Sequence, residues 1–403
     1  MKNTPGPSYL ATPGPSVMPD AVLQAMHRPA PNIYAGELID LTASLIPDLA
    51  NVARTAGHVA IYIGNGHAAW EAALANTIAL GDRVLVPATG HFGHGWAAMA
   101  EALGARPQIL DFGKQSPVDA AQVEQALRDD TSHEIKAVLA THVDTSTSVR
   151  NDIAAIRAAM DSAKHPALLM VDCIASLGCD PFEMDAWGVD VMVAASQKGL
   201  MVPPGLAFVY FNDKAACIRT KMPRVSRYWD WVARANPNVF YEYFCGTAPT
   251  HHLYGLRTAL DMIKAEGLEA VWARHAMLAR TIWAAADVWQ TGGALRLNLS
   301  EAAHRSHAVT SLSLPSPQGT QLRNWVETHM GVTLGIGLGM AEPGEDTAHG
   351  YFRFGHMGHV NGQMIMALLG AVEAGLTALN IPHGTGALQA GAAELARSAV
   401  PSG

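Results

Sequence analysis

Cysteine is scarce: Cys173, Cys179, Cys217 and Cys245 are the four in a chain of 403 residues. So few thiols, so widely spaced, build no disulfide framework, and the sequence predicts free cysteines in a reducing compartment. Cys173 and Cys179 fall among apolar residues, where a free thiol packs as a small hydrophobe. Charge is sparse as well, at 15% Asp, Glu, Lys and Arg, with a net charge of −8. That balance speaks against a nucleic-acid-binding protein and against one held on anionic lipid. No apolar run reaches the ~18 residues needed to cross a bilayer. The opening MKNTPGPSYLATPGPS carries too little apolar sequence for a signal peptide, and the closing AVPSG lacks an SKL-type peroxisomal address. The expectation is a cytoplasmic protein. His91, His94, His251, His252, His356 and His359 invite a metal site, but no acidic or cysteine partner stands at zinc-site spacing, so no metal is expected.

Apolar sequence, by contrast, is plentiful. With 49% hydrophobic residues the chain can bury a large core, and its length suggests two domains. Apolar runs that read as strands cover Val59–Ile63, Val84–Pro87, Gln108–Asp111, Ala137–Thr141, Ala167–Val171, Val189–Ala195 and Leu206–Phe211. They alternate with Ala/Leu-rich helical patterns, the signature of a mostly parallel sheet covered on both faces. Helical spacing then runs from Leu253 to Trp289, with a break expected near Gly267. Past residue 290 the pattern becomes a smaller α+β unit. Its strands are Ala308–Leu314, Val332–Ile336 and Tyr351–Phe354, and its helices Gln318–His329 and Gln363–Ala378. The division is therefore an arm over 1–19, a large domain over 20–289, a small one over 290–383 and a tail over 384–403, helical or disordered. TPGPS occurs twice, at 4–8 and 12–16, and the first copy reads as extended.

The chemistry concentrates in VDCIASLGCDPFEMDAWGVDVMVAASQKGLMVPPGLAF, residues 171–208. One apolar strand ends in Asp172, and the next ends in Ser196-Gln197-Lys198 followed by a glycine. Neither charge makes sense as packing, because a buried unpaired carboxylate or ammonium is very costly. Both stand at the carboxyl ends of strands that read as parallel, where open α/β sheets place their ligands. Pyridoxal phosphate (PLP) chemistry asks for this pair: a Schiff-base lysine, and an acid facing the ring nitrogen. Gly64-Asn65-Gly66-His67 follows a strand and opens a helix, a place where backbone N–H groups hold phosphate.

These motifs resemble the serine–glyoxylate and alanine–glyoxylate aminotransferases of class V. The likeness runs from about Thr12 to about Leu379 and includes PGPSVMPDAVLQAM, AAWEAALANTIALGDRVL, KHPALLMVD, LYGLRTALDMI with GLEAVWARHA, and FRFGHMGHVN. The resemblance implies a fold-type I PLP enzyme, with a large domain around a mostly parallel seven-stranded sheet and a smaller α+β carboxyl-terminal domain. It implies a homodimer with shared active sites. Lys198 would carry the cofactor and move the proton, and Asp172 would keep the ring nitrogen protonated. Gly66, His67 and Gln197 would bind phosphate. Phe92, in GHFGHG, would stack on the ring, and Thr145, in HVDTSTS, would meet its phenolic oxygen. Thr247, in FCGTAP, would reach the phosphate in the neighbouring subunit, while Phe244 replaces a tyrosine that does the same elsewhere in the family. Arg353, between Phe352 and Phe354, would hold the substrate carboxylate through two parallel hydrogen bonds.

Ile33-Tyr34 stands where the plant serine enzymes have Tyr-Arg, so no cation awaits an acidic side chain, and Tyr34 becomes a candidate contact for a serine hydroxyl. Histidines would then face the phosphate or a glyoxylate carboxylate. The expected reaction moves an amino group from serine or alanine to a small 2-oxo acid, glyoxylate first. Other donors, aspartate-like or pyridoxamine-like, are alternatives. So is a lyase of the cysteine-desulfurase type, for which Cys245 is the candidate thiol, whereas nothing in the sequence favours a PLP-binding module fused to a regulator.

Overall fold

The computed structural model describes residues 6–342 and 344–398. In chain order its strands are β1 (Tyr9–Ala11), β2 (His58–Gly64), β3 (Arg83–Ala88), β4 (Arg106–Asp111), β5 (Ile135–Thr141), β6 (Leu168–Asp172), β7 (Val191–Ala195), β8 (Gly205–Phe211), β9 (Arg296–Leu297), β10 (Val309–Ser313), β11 (Val332–Ile336) and β12 (Tyr351–Gly355). Two sheets result. The larger has seven strands in the order β2-β8-β7-β6-β5-β3-β4. Its pairs β3–β4, β3–β5, β5–β6 and β6–β7 are parallel, and only β8 runs against its neighbours β2 and β7. All seven strands fall where the apolar runs place them.

The central strands explain why those runs are continuous rather than alternating. Every residue of β6 and β7 is buried, because helices cover both faces and leave no solvated side. One face packs on Leu45, Leu49, Leu253 and Leu256 of two helices. The other packs on Trp70, Leu74 and Trp96. β4, at the sheet edge, is mostly exposed or half-buried.

Gly267 takes φ +87 and divides the long helical stretch into Thr250–Glu266 and Leu268–Thr291. The second half of the latter, from Leu278 to Trp289, packs with the smaller sheet. That sheet has the order β1-β11-β12-β10-β9. β1 was not legible as a strand: three residues of the arm, Tyr9 to Ala11, pair in parallel with Val332–Leu334. The helix Ala387–Ser398 closes the same core through Ala387, Leu388 and Leu395. The first TPGPS copy begins among residues outside the described ones, as do Pro343 of the loop before Arg353 and residues 399–403 of the tail. No helix among the described residues is long and apolar enough to cross a membrane.

Candidate active site

Parallel register sets the centre of the site. Thr141 pairs with Asp172, and Asp172 with Val193, so Asp172 and the turn carrying Lys198 leave neighbouring strands at the same edge. Two helices begin at that edge, Gly66–Thr77 just after β2 and His91–Ala102 just after β3, and both aim their amino ends at it. The side chain of Asn65 caps the first by accepting from the His67 amide at 3.1 Å. Gly66 permits a close approach, since a Cβ there would run into Ile174. Between these elements lies a cavity of about 240 Å³ lined by Asn65, Gly66, His67, Trp70, Phe92, Thr145, Asp172, Ile174, Gln197 and Lys198. Seven of the residues that the sequence singles out meet here.

Asp172 is held from two sides. Oδ2 accepts the Trp70 indole N–H at 3.0 Å and Oδ1 accepts the Ile174 amide at 2.7 Å. Burial nevertheless pushes its pKa up to about 7, with Asp144 adding to the rise while the two hydrogen bonds and Lys198 oppose it. Burial, and then the Arg353 guanidinium, bring Lys198 down to about 8 against the pull of Asp172. The Lys198 ammonium donates to the Pro13 carbonyl. The second TPGPS copy thus forms a strap over the lysine, with Gly14 at φ +103 and packed so closely that a Cβ would strike Nζ. Ser16 fastens the strap, its hydroxyl donating to the Lys198 carbonyl at 2.8 Å.

Arg353 is buried on β12. Its Nε donates to the Ile336 carbonyl at 2.7 Å and one terminal nitrogen to the Thr145 carbonyl at 2.8 Å, which places it beside the cavity wall. Burial lowers its pKa to about 10. Tyr34, 87% exposed, and Thr247, also exposed, line no part of this cavity within one chain. Phe244 is a buried core residue. Cys245 is not among the residues lining the cavity.

The histidines separate. His91 lies against Phe92 with ring centroids 5.3 Å apart, and its charge helps hold the His67 pKa down, behind burial. His356 does not face the cavity as expected. It is fully buried, bonded to Thr310 Oγ1 and the His307 carbonyl, and burial pushes it to about 3. His94 faces Asp111 at 3.2 Å, while His251 and His252 bond backbone carbonyls of Arg28 and Pro204. Among the described residues no group of three or more His, Cys, Asp or Glu side chains is placed to hold a metal.

Trp70 and Asp144 carry no role in the sequence reading, and the second TPGPS copy is read there as a motif without its contact to Lys198. Trp70 carried a usable signal, standing four residues after Gly66 and so on the same helix face. Asp144 carried a weaker one, an acid between an apolar strand and a run of Ser and Thr. The strap is visible as a motif, but its contact is not, because the partner lies 185 residues away.

A family model described as aminotransferase class-V matches residues 8–355. The chain belongs to the class-V aminotransferase family. The serine–glyoxylate aminotransferase of Hyphomicrobium methylovorum is 36% identical to this class-V aminotransferase over 389 residues, 94% of this chain and 93% of that one. The L-aspartate–glyoxylate aminotransferase of Paracoccus denitrificans is 34% identical over 387 residues, 95% of this chain and 94% of that one. The crystal structure of pyridoxamine–pyruvate aminotransferase from Mesorhizobium loti matches with a TM-score of 0.88, covering 99% of this chain and all of that one. At 24% identity that likeness is one of fold, the fold-type I arrangement.

The raised carboxyl of this class-V aminotransferase has a stability cost with a definite sign. Unfolded, Asp172 loses its proton near 3.8, and folded it keeps the proton to about 7. Between those values the folded state binds more protons, so stability of the cofactor-free protein falls as pH rises through that window. Asp172→Asn is therefore expected to raise the melting temperature of the cofactor-free protein, with a gain that grows from pH 4 to 7 and then levels off. Calorimetry across that range checks it, and a gain that is absent or shrinks towards pH 7 would contradict the desolvation argument.

Proposed function

We propose that this chain is a PLP-dependent aminotransferase that moves an amino group from a small L-amino acid, serine or alanine, to a small 2-oxo acid, with glyoxylate the favoured acceptor. The observation that carries this reading is the pairing of Asp172 and Lys198 at adjacent strand ends over one cavity. The cavity's chemistry suits the cofactor. The Gln197 amide oxygen is buried there unpartnered, and turned over the amide would present its NH₂ to a phosphate, while a carboxyl held near 7 is suited to meet a ring N–H. The amino ends of two helices and the close-packed Gly66 suit a phosphate.

Bound PLP supplies an electron-withdrawing ring that makes the α-hydrogen of an amino acid acidic. Lys198, with its pKa near 8, supplies the amine that takes that proton and returns it. Asp172, oriented by Trp70 and Ile174, faces the ring nitrogen and holds a proton there. Phe92 would cover one face of the ring, Thr145 would meet its phenolic oxygen, and Gly66, His67 and Gln197 would hold the phosphate. Arg353 receives the substrate carboxylate, and its two backbone bonds fix the guanidinium plane in advance.

Thr247 and Tyr34 act, in this reading, in the site of a second copy of the chain. Mixing Lys198→Ala with a variant blocked at Thr247 should restore activity in heterodimers that retain one whole site. No recovery on subunit exchange would mean that each chain works alone.

Arg353→Leu should weaken donor and acceptor alike, because both present the same carboxylate. Leaving a buried charge pair incomplete costs ~2–5 kcal/mol, roughly a thirtyfold to several-thousandfold loss in kcat/KM. Unchanged constants for every substrate would remove Arg353 from the site.

A second reading, an aspartate-like donor, is favoured by the aspartate-specific relative and by His91 near the cavity wall. Single half-reactions followed by cofactor absorbance, with serine, alanine and aspartate as donors, decide between them. Serine or alanine should lead, and Tyr34→Phe should impair serine selectively. Aspartate as the best donor would overturn the small-donor reading.

A further inference from the structure

Asp144 is fully buried in the loop after β5; it lines no part of the cavity and reaches the site's chemistry only through its charge, which adds to the rise of the Asp172 pKa. Its Oδ2 accepts the amides of Phe92 at 2.8 Å and Gly93 at 3.2 Å. Its Oδ1 accepts the Ser146 amide at 3.0 Å and the Ser146 hydroxyl at 2.5 Å. Ser146 Oγ in turn accepts the His91 amide at 3.1 Å. Three successive amides at the start of helix His91–Ala102 are thus tied to one carboxylate, where the helix's own capping position, Gly90, offers no side chain. A Cβ on Gly90 would stand 2.7 Å from Asp144 Cγ, so the helix end approaches this closely because residue 90 is glycine. The very next residue, Thr145, lines the cavity, and its carbonyl accepts from Arg353. The Asp144 charge also acts on that guanidinium, opposing the effect of burial.

We propose that Asp144 is a positioning residue that fixes the ring of Phe92 and the guanidinium of Arg353 relative to each other, so that the cofactor wall and the substrate's carboxylate handle are set by one buried acid. The geometry makes the requirement strict. Each carboxylate oxygen receives two donors, and a carboxylate is acceptor-only. Asparagine has one acceptor oxygen, so its NH₂ faces either the Phe92 and Gly93 amides or the Ser146 amide, with the Ser146 hydroxyl able to turn and accept. Either the helix end carrying Phe92 or the loop carrying Thr145 is pushed away, and the distance between the walls changes.

This inference rests on the PLP reading of the cavity, and its test separates the two. In the PLP-loaded enzyme, Asp144→Asn should alter the circular dichroism of the bound cofactor's visible band, which reports the ring's surroundings. It should also raise KM for the amino donor and the 2-oxo acceptor together, roughly ten- to hundredfold. Ser146→Ala, which keeps the carboxylate and removes one of its donors, should do the same more weakly, and it serves if Asp144→Asn does not fold. In the Arg353→Leu background most of the KM effect of Asp144→Asn should vanish, because the handle it positions is gone. Three results would overturn the proposal. One is a fall in melting temperature with KM and dichroism unchanged, which describes a helix cap and nothing more. A second is full multiplication of the two KM effects in the double variant. The third is a KM untouched by Arg353→Leu alone, which also removes the handle from the PLP reading. Absence of any visible cofactor band in the wild-type protein would instead sink the PLP reading itself.

Discussion

Lys198→Ala is expected to abolish transamination and leave a folded protein. A positioned base contributes roughly 100- to 10,000-fold, and in the proposed reading Lys198 also anchors the cofactor, so the loss should reach the upper end of that range or beyond. The fold should tolerate the change, because the lysine is a cost to the cofactor-free chain. Its amine has a pKa of 10.5 when exposed and about 8 when buried. The folded state therefore binds fewer protons than the unfolded state between those values, and the penalty is complete below pH 8 and fades as pH rises towards 10.5. The cofactor-free variant should accordingly be at least as stable as wild type at pH 7, with the margin shrinking in alkali. Small primary amines added to the assay should restore part of the turnover, since they supply the missing base. Borohydride, which fixes the cofactor on the wild-type chain, should leave the variant unlabelled at position 198. Turnover near wild type, or labelling that persists, would move the catalytic amine to another residue.

Why the lysine and its partner acid were legible in the sequence, and other parts of the site were not, follows from the range of the forces involved. A strand buried on both faces must be apolar throughout, so a charge at its end stands out, as Asp172 does after Leu168–Val171. The large sheet was readable for the same reason, and Gly267 was readable as a helix break because φ +87 suits glycine. Long-range pairings leave no such local mark. β1 joins the smaller sheet only by pairing with Val332–Leu334, and nothing in Tyr9–Ala11 announces that partner. The contact of Pro13 with Lys198 spans 185 residues and is just as unannounced locally. His356 misled because a histidine in a motif reads as chemistry, whereas its surroundings turn out to be the buried hydroxyl of Thr310 and a backbone carbonyl. Asp144 was passed over because its partners are backbone amides, which the sequence does not distinguish.

Asp172→Asn should leave the cofactor bound and slow the chemical step roughly 100- to 10,000-fold. The wild-type carboxyl sits near 7 because burial outweighs the two hydrogen bonds that support its charge. A cationic ring N–H beside it reverses that balance, since an opposite charge at close range favours the ionised form. In the proposed reading the pair would therefore hold a proton at the ring nitrogen, and an amide, which bears no charge, could not. Asparagine accepts only one of these hydrogen bonds, from Trp70 or from Ile174, and its NH₂ displaces the other N–H locally, on the ring-nitrogen side of the cavity and away from Arg353. The loss should thus appear in kcat for single half-reactions with every donor, with little change in KM, because the carboxylate handle at Arg353 is untouched. An analogue of the cofactor whose ring nitrogen carries a permanent positive charge should recover part of the rate in the variant. Single-turnover rates within a few fold of wild type would exclude Asp172 from the mechanism. A rise in KM with kcat preserved would instead make it a residue that binds the ring without activating it.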